Sequence, residues 1–166
     1  TQFELCTQKS LYKKLLKKYD IPTVEGYDLT DSFEERVLSQ IKYPVLVKPS
    51  DGSGSRGIKV CYSIEELRSG YFYAKRFSEK GEVITERYLC GDEVVAFWFI
   101  QDGTASLTAV GNWHKKHYYA GVNAMGIGYT FPSKYIDVYE KNIVPKVKRM
   151  LSDVGIINGA MFFQFF

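Results

Sequence analysis

The chain has 166 residues, 45% of them hydrophobic, and 22 basic against 19 acidic side chains give a net charge of +3. This length and apolar content support one domain or two small subdomains around a real core, and the near-balanced charge excludes the strongly basic profile of a nucleic-acid binder. Cys6, Cys61 and Cys90 lack CxxC spacing, and no signal peptide or 18-residue apolar run occurs, so the pattern points to the cytoplasm and away from membranes.

In chain order, Leu11, Tyr12, Leu15, Leu16 and Tyr19 recur at helical spacing and predict an amphipathic helix over 8–19, ending before Pro22. Lys9 falls in its first turn, where a cation opposes the helix dipole, and Lys13, Lys14, Lys17 and Lys18 read as a solvated face. Ser32 with Glu35 predicts a capping box and a short helix to about Gln40. The segment YPVLVKPSDGSGSRGIKVCY at 43–62 reads as strand, glycine-rich tip and returning strand. A second capping box at Ser63 and Glu66 predicts a helix to about Ser78, followed by a strand over 83–89. Residues 1–21 thus form a leading helical segment and 22–89 a lid subdomain.

Beyond it, apolar runs at 94–100 and 104–110 flank Asp102-Gly103, a strong hairpin-turn dipeptide, and open an antiparallel sheet. Residues 111–134 show no clear periodicity and read as a loop facing a substrate. A helix is predicted over 135–153, kinked or divided by Pro145 and stopped by Gly155. The apolar run at 161–166 reads as a strand with no turn after it, and Thr1 stands where an initiator Met would, so the chain reads as a stretch of something longer. Residues 90–166 would then be part of a larger subdomain.

The tip carries the chemistry. With period-2 alternation, Leu46 and Lys48 share one strand face while Val45 and Val47 share the other. Gly52, Gly54 and Gly57 permit close backbone approach, so successive N–H groups can form a nest around anionic oxygens, with Lys48 as a point charge. Gly52, Gly54 and Gly57 also spell G-x-G-x-x-G. A dinucleotide fingerprint needs a helix at the last glycine, whereas alternating β-branched residues follow here. A kinase loop needs later H-R-D and D-F-G motifs, which are missing. A Walker A loop needs Lys and Ser or Thr where this chain has Ile58.

The order of parts resembles the ATP-grasp superfamily over nearly the whole chain. YPVLVKPSDGSGSRGIKV is similar to the lid hairpin of biotin carboxylases and carbamoyl phosphate synthetase large subunits. Glu86-Arg87-Tyr88-Leu89 before Gly91-Asp92-Glu93 is similar to the segment holding adenine and ribose, and Gln8-Lys9 lies on the leading helix. The resemblance implies an α+β fold with a small lid subdomain and part of a larger antiparallel-sheet subdomain. It also implies ATP and Mg²⁺ as cofactors. Lys9 and Lys48 would contact phosphates; each charge is worth roughly 4 kcal/mol at 4 Å and an effective dielectric near 20, before desolvation. Ser53, Gly54, Ser55 and Gly57 would close over the β and γ phosphates, with Arg56 as an added or a solvated charge. Leu46, Ile58 and Phe166 would flank adenine, whose edge the backbones of Arg87 and Leu89 would read. Glu86 would accept from the exocyclic amine and Glu93 from ribose hydroxyls. Gln164 falls where an acidic metal ligand is expected, and a neutral amide is a weaker ligand for a hard cation.

The implied activity is the ATP-binding part of a ligase that activates a carboxylate as an acyl phosphate for attack by an amine. Its partners would be ATP and small carboxylate and amine substrates, with neither nucleic acid nor membrane. One alternative is a non-catalytic nucleotide-binding module in which Gln164 marks lost metal chemistry. Another is a kinase-like phosphotransferase, disfavoured because Lys48 precedes the glycines. His114 and His117 have H-x-x-H spacing without a third ligand and read as substrate-loop residues, and Phe97, Trp98 and Phe99 read as strand core or sheet face.

Overall fold

The computed structural model describes residues 9–51, 54–116 and 125–166. Helix α1 (Lys9–Lys18) forms where the leucine spacing predicts it, and its Leu16 is buried together with the following Tyr19 and Ile21. The described residues 9–12 and 23–89 form one compact unit, and 13–22 with 90–166 form a second.

The first unit contains β1 (Gly26–Tyr27), α2 (Glu35–Leu38), β2 (Val45–Pro49), β3 (Lys59–Cys61), α3 (Ile64–Lys75) and β4 (Val83–Arg87). Its strands make one antiparallel sheet in the order β1-β4-β2-β3. Alternation along β2 sends Val45 and Val47 into a core with Cys61, Leu67, Tyr71 and Ala74, so α3 covers one sheet face. The other face carries Leu46 and Lys48 with their antiparallel neighbours Val60, Glu86 and Ile84. Ser63 caps α3 by accepting from the Glu66 N–H at 3.3 Å. The return contact differs from the predicted box, because the Glu66 carboxylate accepts from Tyr62 rather than from the cap residue itself.

The box predicted at Ser32 and Glu35 does not form. Helix α2 has no side-chain cap, Phe33 adopts a left-handed φ of 47°, and Ser32 pairs with the hydroxyl of Thr30 instead. Burial of the Phe33 ring against Tyr71 fixes this turn more strongly than a single cap would.

The second unit holds β5 (Glu93–Gln101), β6 (Thr104–Lys116), β7 (Met125–Thr130), α4 (Ile136–Asn142), α5 (Val144–Val154) and β8 (Gly159–Phe165). All its strand pairs are antiparallel, in the order β7-β6-β5-β8. Asp102-Gly103 makes the expected turn, with φ of 47° and 75°, which matches the right-handed twist of the flanking strands. Val94, Ala96, Trp98 and Ile100 of β5 are buried, as are Val147, Met150 and Leu151 of α5. Trp98 donates its indole N–H to the Tyr139 hydroxyl at 3.1 Å, and the Tyr139 ring stacks on Phe165 at 4.9 Å. Pro145 divides the predicted helix 135–153 at Ile143, taking a place in the first turn of α5, where no N–H is needed. Gly155 ends α5 in the left-handed conformation.

The segment 111–134, expected as a loop, is in its described part mostly strand: β6 runs on to Lys116 and β7 pairs with it. The glycines that hide the strand signal make room for aromatic rings. A Cβ on Gly126 would fall 2.3 Å from the Trp113 indole, and one on Gly111 would fall 2.5 Å from the Phe131 ring.

Candidate functional site

In the first unit the functional side chains lie on the sheet face opposite α3. Lys48 and Glu86 form an ion pair there; Glu86 is only 6% exposed, so this is a largely desolvated pair and not a surface strand end. Lys9 in α1 is half-buried. Its ammonium is held below the usual lysine range, first by desolvation and next by the like charge of Lys48, with Asp51 and Glu86 pulling the other way. Two lysines are therefore gathered around the Glu86 carboxylate. Such a cluster favours an incoming anion, because added negative charge offsets the like-charge repulsion between the two ammonium groups.

Beside this cluster the hairpin tip turns through Gly54, Ser55 and Gly57, all in the left-handed region with φ of 64°, 57° and 74°. Gly54, Ser55 and Arg56 are exposed while Gly57 is buried. A Cβ at Gly57 would lie 2.9 Å from Phe77 and from Pro49, so glycine is demanded here by both conformation and space. Leu46 is half-buried on the lysine face and Ile58 is exposed. The Arg87 N–H donates to the Glu25 carbonyl at 2.9 Å and the Tyr88 N–H to the Pro44 carbonyl at 3.0 Å. The amide of Arg87 is thus committed inside the sheet, and Leu89 follows half-buried just past β4. Cys6, Gln8, Gly52, Ser53 and His117, named from the sequence, lie outside the described residues.

In the second unit, Glu93 opens β5 and both its oxygens are engaged. One accepts from Lys115 and the other from the Gln164 amide at 2.7 Å. Register explains the meeting: Glu93 pairs with Trp113, while Val95 pairs with Gln164, two residues along on the same face. The Lys115 ammonium also lies 4.4 Å from the centre of the Trp113 ring. Glu93, Trp113 and Lys115 border an open cleft of about 390 Å³, completed by Gly91, Asp92, His114 and Ile127. His114 bonds Thr130 across the β6–β7 pair at 2.6 Å. Asp92, held below the ordinary carboxylate range first by Lys134 and then by the Tyr135 hydroxyl, is tied to the start of α4. Phe166 lies just past β8 and is exposed.

Lys115 was not legible as a site residue, because its stretch reads as a loop. The signal was there in the alternation of Trp113 and Lys115 continuing the period of β6. Among the described residues, no group of three His, Cys, Asp or Glu side chains is arranged to hold a metal ion. Gln164 and Glu93 turn toward each other, so this donor set does not make a magnesium site by itself.

Two antiparallel sheets, one carrying a lysine-fed glycine hairpin and the other backed by helices, define an ATP-grasp fold, and solved structures bear this out. The biotin carboxylase domain of 2-oxoglutarate carboxylase from Hydrogenobacter thermophilus, in complex with MgADP, ADP and bicarbonate, superimposes with a TM-score of 0.78 at 23% identity, over 98% of this chain and 37% of that one. The chain belongs to the family of carbamoyl-phosphate synthase L chain ATP binding domains, which it matches over residues 8–151. Among curated relatives it is 33% identical to the 2-oxoglutarate carboxylase small subunit of H. thermophilus over 115 residues, 65% of this chain and 24% of the relative. It is 29% identical to phosphoribosylamine–glycine ligase of Lactococcus lactis over 96% of this chain and 40% of the relative. The chain thus spans between a quarter and two fifths of the length of these relatives. No described helix is long and apolar enough to cross a membrane.

Proposed function

We propose that this chain is the ATP-binding part of a cytoplasmic ligase that phosphorylates a small carboxylate and passes the acyl phosphate to an amine. The observation that carries the reading is the Lys9, Lys48 and Glu86 cluster beside a left-handed glycine tip. In this reading Lys9 and Lys48 bind the polyphosphate, and Gly54, Ser55 and Gly57 present the backbone that closes over it, with Arg56 at the rim. Leu46 and Ile58 offer apolar surface to adenine. Glu86 holds Lys48 in place and accepts from the base, with the backbones of Arg87 and Leu89 at its edge.

The chain's contribution to phosphoryl transfer is alignment and charge neutralisation. Magnesium bound with the nucleotide's phosphates would supply further neutralisation; among the described residues no group of three His, Cys, Asp or Glu side chains is arranged to hold it. The carboxylate and amine are of the class used by the ligase relatives.

Replacing Lys48 with Ala should weaken ATP binding by roughly a hundredfold in calorimetry of the full-length protein, consistent with removal of a charge-assisted contact of about 3 kcal/mol. Unchanged binding would overturn the reading. The neutral amide of Gln164, standing where an acidic metal ligand is expected and donating to Glu93, favours, as a second reading, a module that binds nucleotide without turning it over. ATP affinity indifferent to Mg²⁺, together with no ADP release when carboxylate and amine are supplied, would select that second reading.

A further inference from the structure

The two stems of the hairpin tip are both moored to one short segment, residues 77–82, directly after α3. On the incoming stem, Ser50 donates its N–H to the Glu82 carbonyl at 3.1 Å and its hydroxyl to the Glu82 carboxylate at 3.2 Å. The next residue, Asp51, accepts from the Lys80 N–H at 3.1 Å. Its carboxyl is held below the ordinary range chiefly by the Ser78 hydroxyl, against desolvation, with backbone N–H groups of Lys80, Asp51 and Glu79 adding to the effect. Ser78 accepts in turn from the Glu82 N–H at 3.0 Å, so the residue that holds Ser50 is itself fixed by Ser78. On the outgoing stem, Gly57 lies against Phe77 and Pro49 with no room for a Cβ, and Phe77 is packed on Tyr73 of α3 at 5.0 Å.

We infer that residues 77–82 are a mooring that sets the affinity of the tip for polyphosphate, with Asp51 and Ser78 as positioning residues that touch no ligand themselves. This rests on the reading of the tip as a polyphosphate grip. The physical argument is preorganisation. A backbone nest gains most when its N–H groups converge before the anion arrives, because ordering a glycine-rich turn at the moment of binding subtracts from affinity. Glycine has the most conformational freedom to lose, so this tip needs external bonds to hold its shape, and both stems find them in the same six-residue segment. The single carboxylate of Asp51 joins that segment to the start of the turn.

The test compares Asp51→Ala, Ser78→Ala, Ser78→Thr and Lys48→Ala in the full-length protein. ATP and adenosine affinity are read by calorimetry, and tryptic cleavage after the exposed Arg56 is timed without nucleotide. Asp51→Ala and Ser78→Ala should each weaken ATP binding by roughly tenfold, the size of one hydrogen bond to a charged group. They should leave adenosine affinity unchanged and hasten cleavage at Arg56, and Ser78→Thr, which keeps the hydroxyl, should restore both. Equal losses for ATP and adenosine, or no loss for ATP, would overturn the mooring. If Asp51→Ala does not fold, the Ser78→Ala and Ser78→Thr pair decides alone. A Lys48→Ala protein that loses ATP while Ser78→Ala does not would reject the mooring and keep the grip. Unchanged ATP binding in Lys48→Ala would reject the grip itself.

Discussion

Each unit is a four-stranded antiparallel sheet with helices on one face, yet the opposite faces differ in kind. In the first unit that face holds a desolvated Lys48–Glu86 pair amid Leu46, Val60 and Ile84. In the second it is a field of aromatic rings in which Phe97 touches Tyr129, Phe131 and Phe162 at 5.8 to 6.3 Å between centroids. Charge meets that field at the end where Glu93 and Lys115 pair beside the Gln164 amide. The same architecture therefore presents a charge-holding surface in one case and flat apolar surface in the other. The difference follows from which residues occupy alternate strand positions, not from topology.

The contrast can be broken first at the core. Trp98→Ala should cost the second unit about 4 kcal/mol in chemical denaturation, through the lost ring and the orphaned Tyr139 hydroxyl. A loss below 1 kcal/mol would show that the helix-backed face is not the stabilising one. In the first unit, Glu86→Ala leaves Lys48 desolvated without its partner and should cost about 3 kcal/mol, with Glu86→Gln costing less. An unaltered denaturation midpoint for Glu86→Ala would mean the pair is solvated and the contrast of faces is false. Gly111→Ala drives a methyl into the Phe131 ring and should cost about 1–3 kcal/mol, most of it recovered when Phe131→Ala is added. Failure of the second change to rescue the first would separate this glycine from the aromatic field.

The smallest effect sharpens the electrostatic side. The Lys9 ammonium is held below its ordinary pKa in the folded chain, so between the folded value and the usual 10.5 the unfolded chain binds the extra proton. Stability should therefore rise with pH across that window, and Lys9→Met should remove the rise. Denaturation curves at several alkaline pH values that keep the same slope in both proteins would contradict the placement of Lys9 beside Lys48.

The lid was legible because its chemistry is local. A lysine two places beyond Leu46, and glycines at the turn, mark a strand face and a turn through period-2 alternation and left-handed backbone alone. The Lys48–Glu86 bond was not legible, since it depends on the β2–β4 register across 38 residues. Nor was β7, because Gly126 and Gly128 weaken any strand pattern and only the Trp113 ring lying over Gly126 explains the first of them. The Ser32 box misled for a related reason: a local cap lost to burial of Phe33.

The turn at Asp102-Gly103 is short, exposed and bounded by long strands, the profile usually chosen for splicing in a reporter or a protease site. Its amides, however, are tied to the segment before β8: Gly103 donates to the Ile157 carbonyl at 2.9 Å and Asp102 to the Asn158 side chain at 3.0 Å. An inserted sequence there would cut the brace that sets where β8 begins, and with it the alignment that carries Gln164 to Glu93. A tolerant graft site has to be sought elsewhere on the chain.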